Sequence, residues 1–219
     1  LSKVFPKFDG FICISQSLAD LANLYKSPEA KLVKIPIMVD VDSKEKGDFD
    51  SCPKLPYIFH SGTLLNQKDG ILGAIEAFGI ASKQLDFKFN YVLTGDLEKS
   101  PHSKEIMKLI NKYEIKNNVI FTGFLSKKKL DLYLNGSSLM IINKLDNQQN
   151  NYCFATKLGE YLLSGKPVIT TTIGEASNYL MDNVSAYIVE PGNIQLLSDK
   201  IVSVLNDQEQ SSIVGENGR

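Results

Sequence analysis

The chain has 219 residues, of which 43% are hydrophobic and 22% charged, and its 24 basic and 25 acidic side chains leave a formal net charge of −1. This composition is that of an ordinary globular protein, and the even charge balance argues against a nucleic-acid partner, which an excess of Lys and Arg would indicate. Apolar runs stay well short of the ~20 residues of a membrane-spanning helix. Three cysteines without a CxxC pair predict reduced thiols in a cytoplasmic protein rather than a zinc site or a disulfide framework.

The beginning of the chain differs in pattern from the rest. Short apolar runs predict strands at 11–14 and 32–35, with an amphipathic helix between them. Residues 40–56 are polar, contain Gly and Pro, and predict a linker. We therefore expect residues 1–56 to hold the end of a preceding domain and the joining segment, and residues 57–219 to form a second domain whose C-terminal end is truncated.

From residue 57 onward, strands and helices alternate regularly. Apolar runs predict six strands, at 57–60, 87–93, 119–122, 138–142, 167–171 and 186–189, and each is followed by a stretch with helical spacing. This alternation predicts an α/β fold, a Rossmann-like doubly wound parallel sheet of about six strands with helices on both faces. Ligands of such sheets bind beyond the carboxyl ends of the strands. The polar run at 147–151 predicts a mobile loop.

The first candidate motif, residues 61–70, follows a predicted strand and opens a helix. Gly62 allows the backbone to turn tightly or to approach a ligand closely. Lys68 can reach back over the strand ends as a cation for a phosphate. The alternative is an ordinary strand-to-helix loop with a solvated lysine.

The second candidate motif runs from residue 154 to residue 169. Its helix begins near Ala155, Thr156 and Lys157, where unpaired backbone N–H groups, a hydroxyl and a positive charge favour an anion. Glu160, about one turn further along, can accept hydrogen bonds from the two vicinal hydroxyls of a ribose. The alternative is a surface carboxylate that the helix dipole favours in the first turn.

Two further turns follow predicted strands. One contains Gly95 and Asp96, and the other contains Phe124 and Leu125. Each alone is typical of a tight turn, but four polar or Gly-bearing turns along one edge of a sheet predict a ligand crevice. The sequence lacks a GxGxxG fingerprint, a Walker A motif, a GxSxG elbow and metal-ligand spacing. His60, at a strand end, is more typical of a structural residue.

Taken in order, the Lys68-Asp69-Gly70 turn, residues 119–126 and residues 160–169 resemble the C-terminal, donor-binding domain of GT-B retaining glycosyltransferases of family 4, the glycosyl transferases group 1. Residues 12–17 and 35–40 resemble the segment that joins the two domains of that family. The resemblance implies a bacterial hexosyltransferase. It would use a nucleoside-diphosphate sugar, with no metal and no other cofactor, in polysaccharide, lipopolysaccharide or glycolipid synthesis.

The resemblance also implies roles for the candidate residues. Lys68 and Glu160 would be catalytic, Lys68 by neutralising the departing diphosphate and Glu160 by binding the ribose. The donor-binding set would consist of Gly62, Thr63, Lys68, Gly95, Asp96, Phe124, Leu125, Ala155, Thr156, Lys157 and Glu160. Backbone groups around Phe124 and Leu125 would contact the nucleobase.

The resemblance implies partners as well: an acceptor glycan or lipid-linked sugar, and an N-terminal domain of the same chain, through which the protein would contact the inner face of the membrane. The isolated piece would be inactive. Two departures leave alternatives open, because Thr63 replaces the usual Arg and Tyr152 replaces an acidic residue. These departures favour a non-catalytic nucleotide-binding or interaction module, and a sugar-nucleotide epimerase of the same architecture is the other alternative.

Overall fold

The computed structural model describes residues 1–41 and 52–219, so most of the predicted linker lies outside the described residues. The chain begins with a 3₁₀ turn, Phe5–Lys7, and a small parallel sheet of β1 (Gly10–Cys13) and β2 (Lys31–Lys34). Helix α1 (Gln16–Tyr25) connects the two strands, and its N-cap Ser15 accepts a hydrogen bond from the Leu18 N–H at 3.1 Å.

The second unit holds a parallel sheet whose described strands number six. They are β3 (Tyr57–His60), β4 (Asn90–Thr94), β5 (Val119–Gly123), β6 (Leu139–Ile142), β7 (Val168–Thr171) and β8 (Tyr187–Val189). Its helices are α2 (Asn66–Asp69), α3 (Ile71–Ala81), α4 (Ser103–Tyr113), α5 (Lys127–Gly136), α6 (Gln148–Tyr152), α7 (Lys157–Leu163), α8 (Ile194–Asn206) and α9 (Gln208–Gly218), with a 3₁₀ turn at Ala176–Asn178. The predicted doubly wound α/β sheet is confirmed.

The strand order β5-β4-β3-β6-β7-β8 reverses direction between β3 and β6. Both neighbours of β3 run parallel to it, with Ile58 opposite Tyr91 on one side and opposite Leu139 on the other. The chain therefore leaves β3 and β6 toward opposite faces of the sheet, which opens a crevice at their carboxyl ends. This is where the loops that begin at Ser61 and Asn143 meet.

Alternate residues of each strand supply two separate cores, because successive side chains point to opposite faces. Ile58 and Ile141 pack with the apolar faces of α3, α4 and α8, whereas Phe59 and Met140 pack with α5 and α7. Both faces of the central strands are thus buried, which explains why these strands read as continuous apolar runs.

The β1–α1–β2 unit is attached to the larger sheet by polar contacts. The Ser15 hydroxyl donates to the Tyr152 carbonyl oxygen at 2.7 Å. The carboxylate of Glu175, which is 3% exposed, accepts from the Gln16 N–H at 2.6 Å and from Lys34 Nζ at 3.4 Å. These contacts lie beside the carboxyl edge of the sheet and fix the first unit there.

One predicted strand begins later than expected. The alternation of Phe87, Phe89, Tyr91 and Leu93 predicts a strand from residue 87, but β4 starts at Asn90. Phe89 is buried against the Phe78 ring, 5.0 Å away, and Phe87 is 37% exposed. Packing of an aromatic side chain, not pairing of its backbone, accounts for this extra apolar position.

Helices α6 and α9 are absent from the sequence prediction. The polar run at 147–151 forms α6 instead of a mobile loop, because Asn147 caps it and Asn150 is buried. Helix α9 lacks a clear apolar stripe; it packs through Gly215, whose added Cβ would lie 2.8 Å from the Pro167 nitrogen. Because α9 is held by this close backbone approach, its sequence shows no regular pattern of apolar residues.

The three cysteines carry no disulfide. In residues 1–41 and 52–219, no helix has both the length and the apolar character needed to cross a bilayer.

Packing of α3 against α4 predicts a contrast between two glycines of α3. A Cβ on Gly79 would lie 2.7 Å from the Cβ of Tyr113, whereas a Cβ on Gly73 would meet only ordinary contacts at 3.5 Å or more. We expect Gly79→Ala to lower the free energy of unfolding by about 1–3 kcal/mol through overpacking. Gly73→Ala, the matched control, should raise it by up to about 1 kcal/mol through helix propensity. Urea denaturation measures both, and equal effects would contradict the packing argument.

Candidate ligand-binding crevice

The loops after three neighbouring strands converge at the switch point. The Gly62 N–H donates to Thr94 Oγ1 at 2.8 Å, and the Gly95 N–H donates to the Gly123 carbonyl oxygen at 3.2 Å. Gly95 adopts a φ of +96°, and a Cβ there would lie 2.7 Å from the Gly62 carbonyl oxygen. The first candidate motif and the two further turns, which follow β4 and β5, therefore share one edge of the sheet.

A buried ion pair connects the first motif to the second. Lys157 Nζ donates to Asp69 Oδ1 at 2.9 Å and also to the Ser61 carbonyl oxygen. Asp69 Oδ2 accepts from the Thr63 N–H at 3.1 Å and from the Thr63 hydroxyl at 3.3 Å. A Cβ on Gly62 would lie 2.7 Å from the same oxygen, so Gly62 is required by Asp69. The Lys157 ammonium points inward, and its charge is partly neutralised before any ligand arrives.

The pKa values of these groups follow from burial and mutual charge. Burial alone would raise the pKa of Asp69, but Lys157, His60 and the hydrogen bonds lower it to about 2. Burial lowers the pKa of Lys157 and of Lys144, and Asp69 opposes both shifts. Two buried ammonium groups around one carboxylate leave the floor of the crevice positive.

Two tyrosines and a histidine support the first loop from below. Tyr161 Oη accepts from the Ser61 N–H at 2.7 Å, and His60 Nδ1 lies 2.9 Å from Tyr91 Oη. Burial raises the pKa of both tyrosines, which keeps them neutral. Burial, together with Lys157, lowers the pKa of His60 to about 3. His60 is thus a neutral structural residue beneath the crevice.

Glu160 lies in a cleft of about 380 Å³ between residues 37–40 and helices α5 and α7. Thr156 and Lys127 also line this cleft. Lys127 Nζ lies 3.2 Å from Glu160 Oε1 and 2.9 Å from Asp131 Oδ1. The Thr156 side chain makes no capping bond to α7. Glu160 and Thr156 therefore face a cavity with polar groups available to a ligand.

The remaining predicted site residues lie around this edge without sharing one contact network. Lys68 is exposed on α2, and Phe124 is 96% exposed after β5. Leu125 and Ala155 pack partly into the core. Asp96 pairs with Lys99 at 2.9 Å, which makes it a turn residue in this structure.

Sequence reasoning missed four polar residues at the crevice: Asp69 as an acceptor, Tyr161, Lys144 and Asn150. Lys144 had a signal, since it comes two residues after the predicted strand at 138–142, on the strand where the sheet order reverses. Asn150 had none, because a polar run predicts a surface loop.

The crevice suits an anionic ligand. Exposed Lys68, the positive floor and the start of α7 all favour negative charge. Within the described parts of the chain, no three His, Cys, Asp or Glu residues are arranged to hold a metal ion.

Comparisons with known proteins agree on one family and fold. The family model described as glycosyl transferases group 1 matches residues 42–219. The chain is 26% identical over 137 residues to an uncharacterized glycosyltransferase of Methanocaldococcus jannaschii, covering 61% of the chain and 36% of that protein. It is 24% identical over 135 residues to the 2-deoxystreptamine N-acetyl-D-glucosaminyltransferase of Niallia circulans, covering 61% and 32%. The matched stretch of the chain thus spans about a third of the length of these relatives.

Solved structures share the fold. Anabaena HepE in complex with UDP and glucose superposes with a TM-score of 0.82 at 19% identity, over 99% of the chain and 59% of HepE. A glycosyltransferase of Rickettsia africae superposes with a TM-score of 0.78 at 19% identity, over 99% and 59%.

The buried ion pair predicts strong coupling between Asp69 and Lys157. Asp69→Asn leaves a buried ammonium without its carboxylate, and we expect a loss of about 3 kcal/mol in the free energy of unfolding. Combining it with Lys157→Met should recover part of that loss, because no charge then stays uncompensated. Asp96→Asn, which removes an exposed ion pair, is the control and should change stability little. Additive losses in the double variant would contradict the coupling.

His60 predicts a pH dependence of stability. A histidine in the unfolded chain titrates near 6.5, whereas the pKa of folded His60 is about 3. Between these values the unfolded state binds more protons, so stability falls as the pH is lowered from about 6.5 toward 3. His60→Asn should flatten this dependence by about 1 kcal/mol per pH unit. Urea denaturation from pH 4 to 7 measures the slope, and an unchanged slope would contradict the assignment.

Proposed function

The chain belongs to the glycosyl transferases group 1 family, and from this premise we propose that it binds a nucleoside-diphosphate sugar for transfer to an acceptor hydroxyl with retained configuration. In this proposal residues 57–219 form the donor-binding domain, and residues 1–56 contain the end of a preceding domain and the joining segment. The acceptor, a glycan or a lipid-linked sugar, would enter between this unit and the N-terminal part of the parent protein.

The crevice at the switch point carries the proposal. There, Lys68 projects as an exposed cation from α2, next to a loop whose N–H groups at residues 61–63 are already engaged. Ser61, Gly62 and Thr63 donate to Tyr161, Thr94 and Asp69 in turn. The loop is thus a rigid surface for a diphosphate, whose charge would be balanced mainly by Lys68 and the start of α7.

The chemistry of transfer requires stabilisation of a departing nucleoside diphosphate. Negative charge grows on the β-phosphate as the glycosidic bond breaks, and a cation placed there lowers the barrier. Lys68 would supply this charge, and the proposal needs no metal. Backbone groups at 155–157 would hold phosphate or sugar oxygens, with Gly95 and Asp96 at the neighbouring turn.

The cleft at Glu160 fits the nucleoside part of the donor. A ribose there would offer two hydroxyls to Glu160 Oε1 and Oε2, in place of part of its contact with Lys127. The exposed Phe124 and the backbone of Leu125 would meet the nucleobase. The relative from Anabaena binds UDP, which makes UDP the first nucleotide to test.

A non-catalytic nucleotide-binding module is the second candidate. Thr63 turns its hydroxyl to Asp69, and Tyr152 contributes its carbonyl oxygen to Ser15. Neither residue then supplies a charged group to a donor. An activity assay of the parent protein distinguishes a transferase from a binding module. A transferase transfers the sugar from its nucleotide to an acceptor, and a binding module does not.

The proposed site predicts selective loss of nucleotide affinity. Lys68→Ala and Glu160→Ala should each weaken binding of the best nucleoside diphosphate by about tenfold to a hundredfold, since hydrogen bonds to charged groups contribute about 1.5–3 kcal/mol. Titration calorimetry of the 219-residue chain with UDP, ADP and GDP measures this.

Two exposed positions away from the crevice provide controls. Lys112→Ala on α4 and Glu209→Ala on α9 remove charges of the same sign and should leave nucleotide affinity unchanged. Absence of binding to the unaltered chain, or equal binding by all variants, would refute the site.

A further inference from the structure

Two asparagines of the polar run at 147–151, together with Lys144, donate hydrogen bonds to the main chain of α2. Asn147 Nδ2 and Asn150 Nδ2 both donate to the Gln67 carbonyl oxygen at 2.8 Å. Lys144 Nζ donates to the Lys68 carbonyl oxygen at 3.0 Å. We call Lys144, Asn147 and Asn150 the α2 clamp. All its contacts to α2 are made to main-chain oxygens, so they act on where the helix lies.

Helix α2 needs such support because it is only four residues long. A helix of this length is unstable by itself, and its last carbonyl groups have no partners within the helix. Its N-cap position, Leu65, offers no side-chain hydrogen bond. Its C-terminal end at Gly70 turns into the left-handed region, with a φ of +57°, and passes directly into α3. The clamp therefore holds the main chain of α2 at Gln67 and Lys68.

Two of the three clamp residues lie in the protein interior. Lys144 is 6% exposed and Asn150 is 1% exposed. In the described part of the chain, no carboxylate lies within 4 Å of the Lys144 ammonium, whose second acceptor is Asn150 Oδ1 at 3.4 Å. Burying an ammonium is costly without partners. The buried Lys144 ammonium donates to the Lys68 carbonyl oxygen, so it acts on the position of the main chain at Lys68.

We propose that the α2 clamp consists of positioning residues that set where the Lys68 ammonium stands at the mouth of the crevice. The residue held by Lys144 is Lys68 itself, and the residue held by the two asparagines directly precedes it. A shift of this backbone moves the Lys68 side chain relative to the loop at 61–65. The inference rests on the proposed function, in which Lys68 meets the diphosphate.

A double-mutant cycle on UDP affinity tests the clamp. Asn147→Ala combined with Asn150→Ala removes the grip without changing any charge, and Lys144→Met removes the remaining contact. Each should weaken UDP binding by about five- to tenfold in the otherwise unaltered chain. In a Lys68→Ala background the asparagine pair should have less than about a twofold effect, because the group that it positions is gone. Lys144→Met also removes a positive charge from the crevice floor, so only the part of its effect that exceeds the effect in the Lys68→Ala background measures positioning.

Asn151→Ala is the matched control for the polar run. Its Nδ2 donates to Asp146 Oδ1 at 2.8 Å on the surface and does not touch α2, so UDP affinity should stay unchanged. Circular dichroism at the titration temperature confirms that each variant is folded, and the asparagine pair alone decides the matter where Lys144→Met does not fold.

The outcomes separate the clamp from the site it serves. If Lys68→Ala weakens UDP binding but the clamp variants do not, the clamp is refuted and the proposed function stands. If the asparagine pair weakens binding equally with and without Lys68, it acts on UDP directly or through general stability, and the positioning role is refuted. An unchanged affinity in Lys68→Ala refutes both.

Discussion

The ion pair between Asp69 and Lys157 is the contact on which the crevice depends. Asp69 ends α2 and Lys157 begins α7, so the pair joins elements that follow β3 and lead into β7. A buried pair of this kind compensates its desolvation only when further hydrogen bonds satisfy both partners. Here Thr63 donates to the Asp69 carboxylate, and the Ser61 carbonyl oxygen accepts from Lys157. The loop that begins at Ser61 therefore folds around the ion pair.

Several features follow from this one contact. Gly62 has no room for a side chain because the Asp69 carboxylate occupies that space. Thr63 is committed to the same carboxylate, which leaves Lys68 as the exposed cation of the motif. His60, beneath the loop, stays neutral because burial and the neighbouring ammonium groups oppose its protonation. The loop thus presents a fixed surface, with Lys68 beside it as the exposed cation.

The sequence predicted the sheet well because its strands are buried on both faces. Residues such as Ile58 and Phe59 must all be apolar, so the run at 57–60 coincides with β3. Prediction failed where stability comes from specific polar or backbone contacts. Helix α6 depends on the Asn147 cap and buried Asn150, and α9 depends on the close approach of Gly215. Neither a polar cap nor a close backbone contact requires apolar residues at helical spacing.

The sequence predicted where the candidate site lies in the fold, but not which contacts its side chains make. Gly62, Gly95 and Glu160 lie beside strand ends or at a helix start, positions that chain order alone identifies. Which way Lys157 points depends on Asp69, 88 residues earlier, and no local pattern carries that information. The same holds for Lys144, whose partner is a carbonyl oxygen 76 residues away.

The attachment of the first unit to the larger sheet has a consequence for sequence divergence. Ser15 contacts the carbonyl oxygen of Tyr152, and Glu175 contacts the N–H of Gln16. Every residue except proline offers those main-chain atoms, so substitutions at 16 and 152 leave the join intact. At each of these contacts one partner is a main-chain atom, so the residue that provides it can be replaced by any residue except proline. The β1–α1–β2 unit and the larger sheet can therefore diverge in sequence at different rates while keeping their relative position.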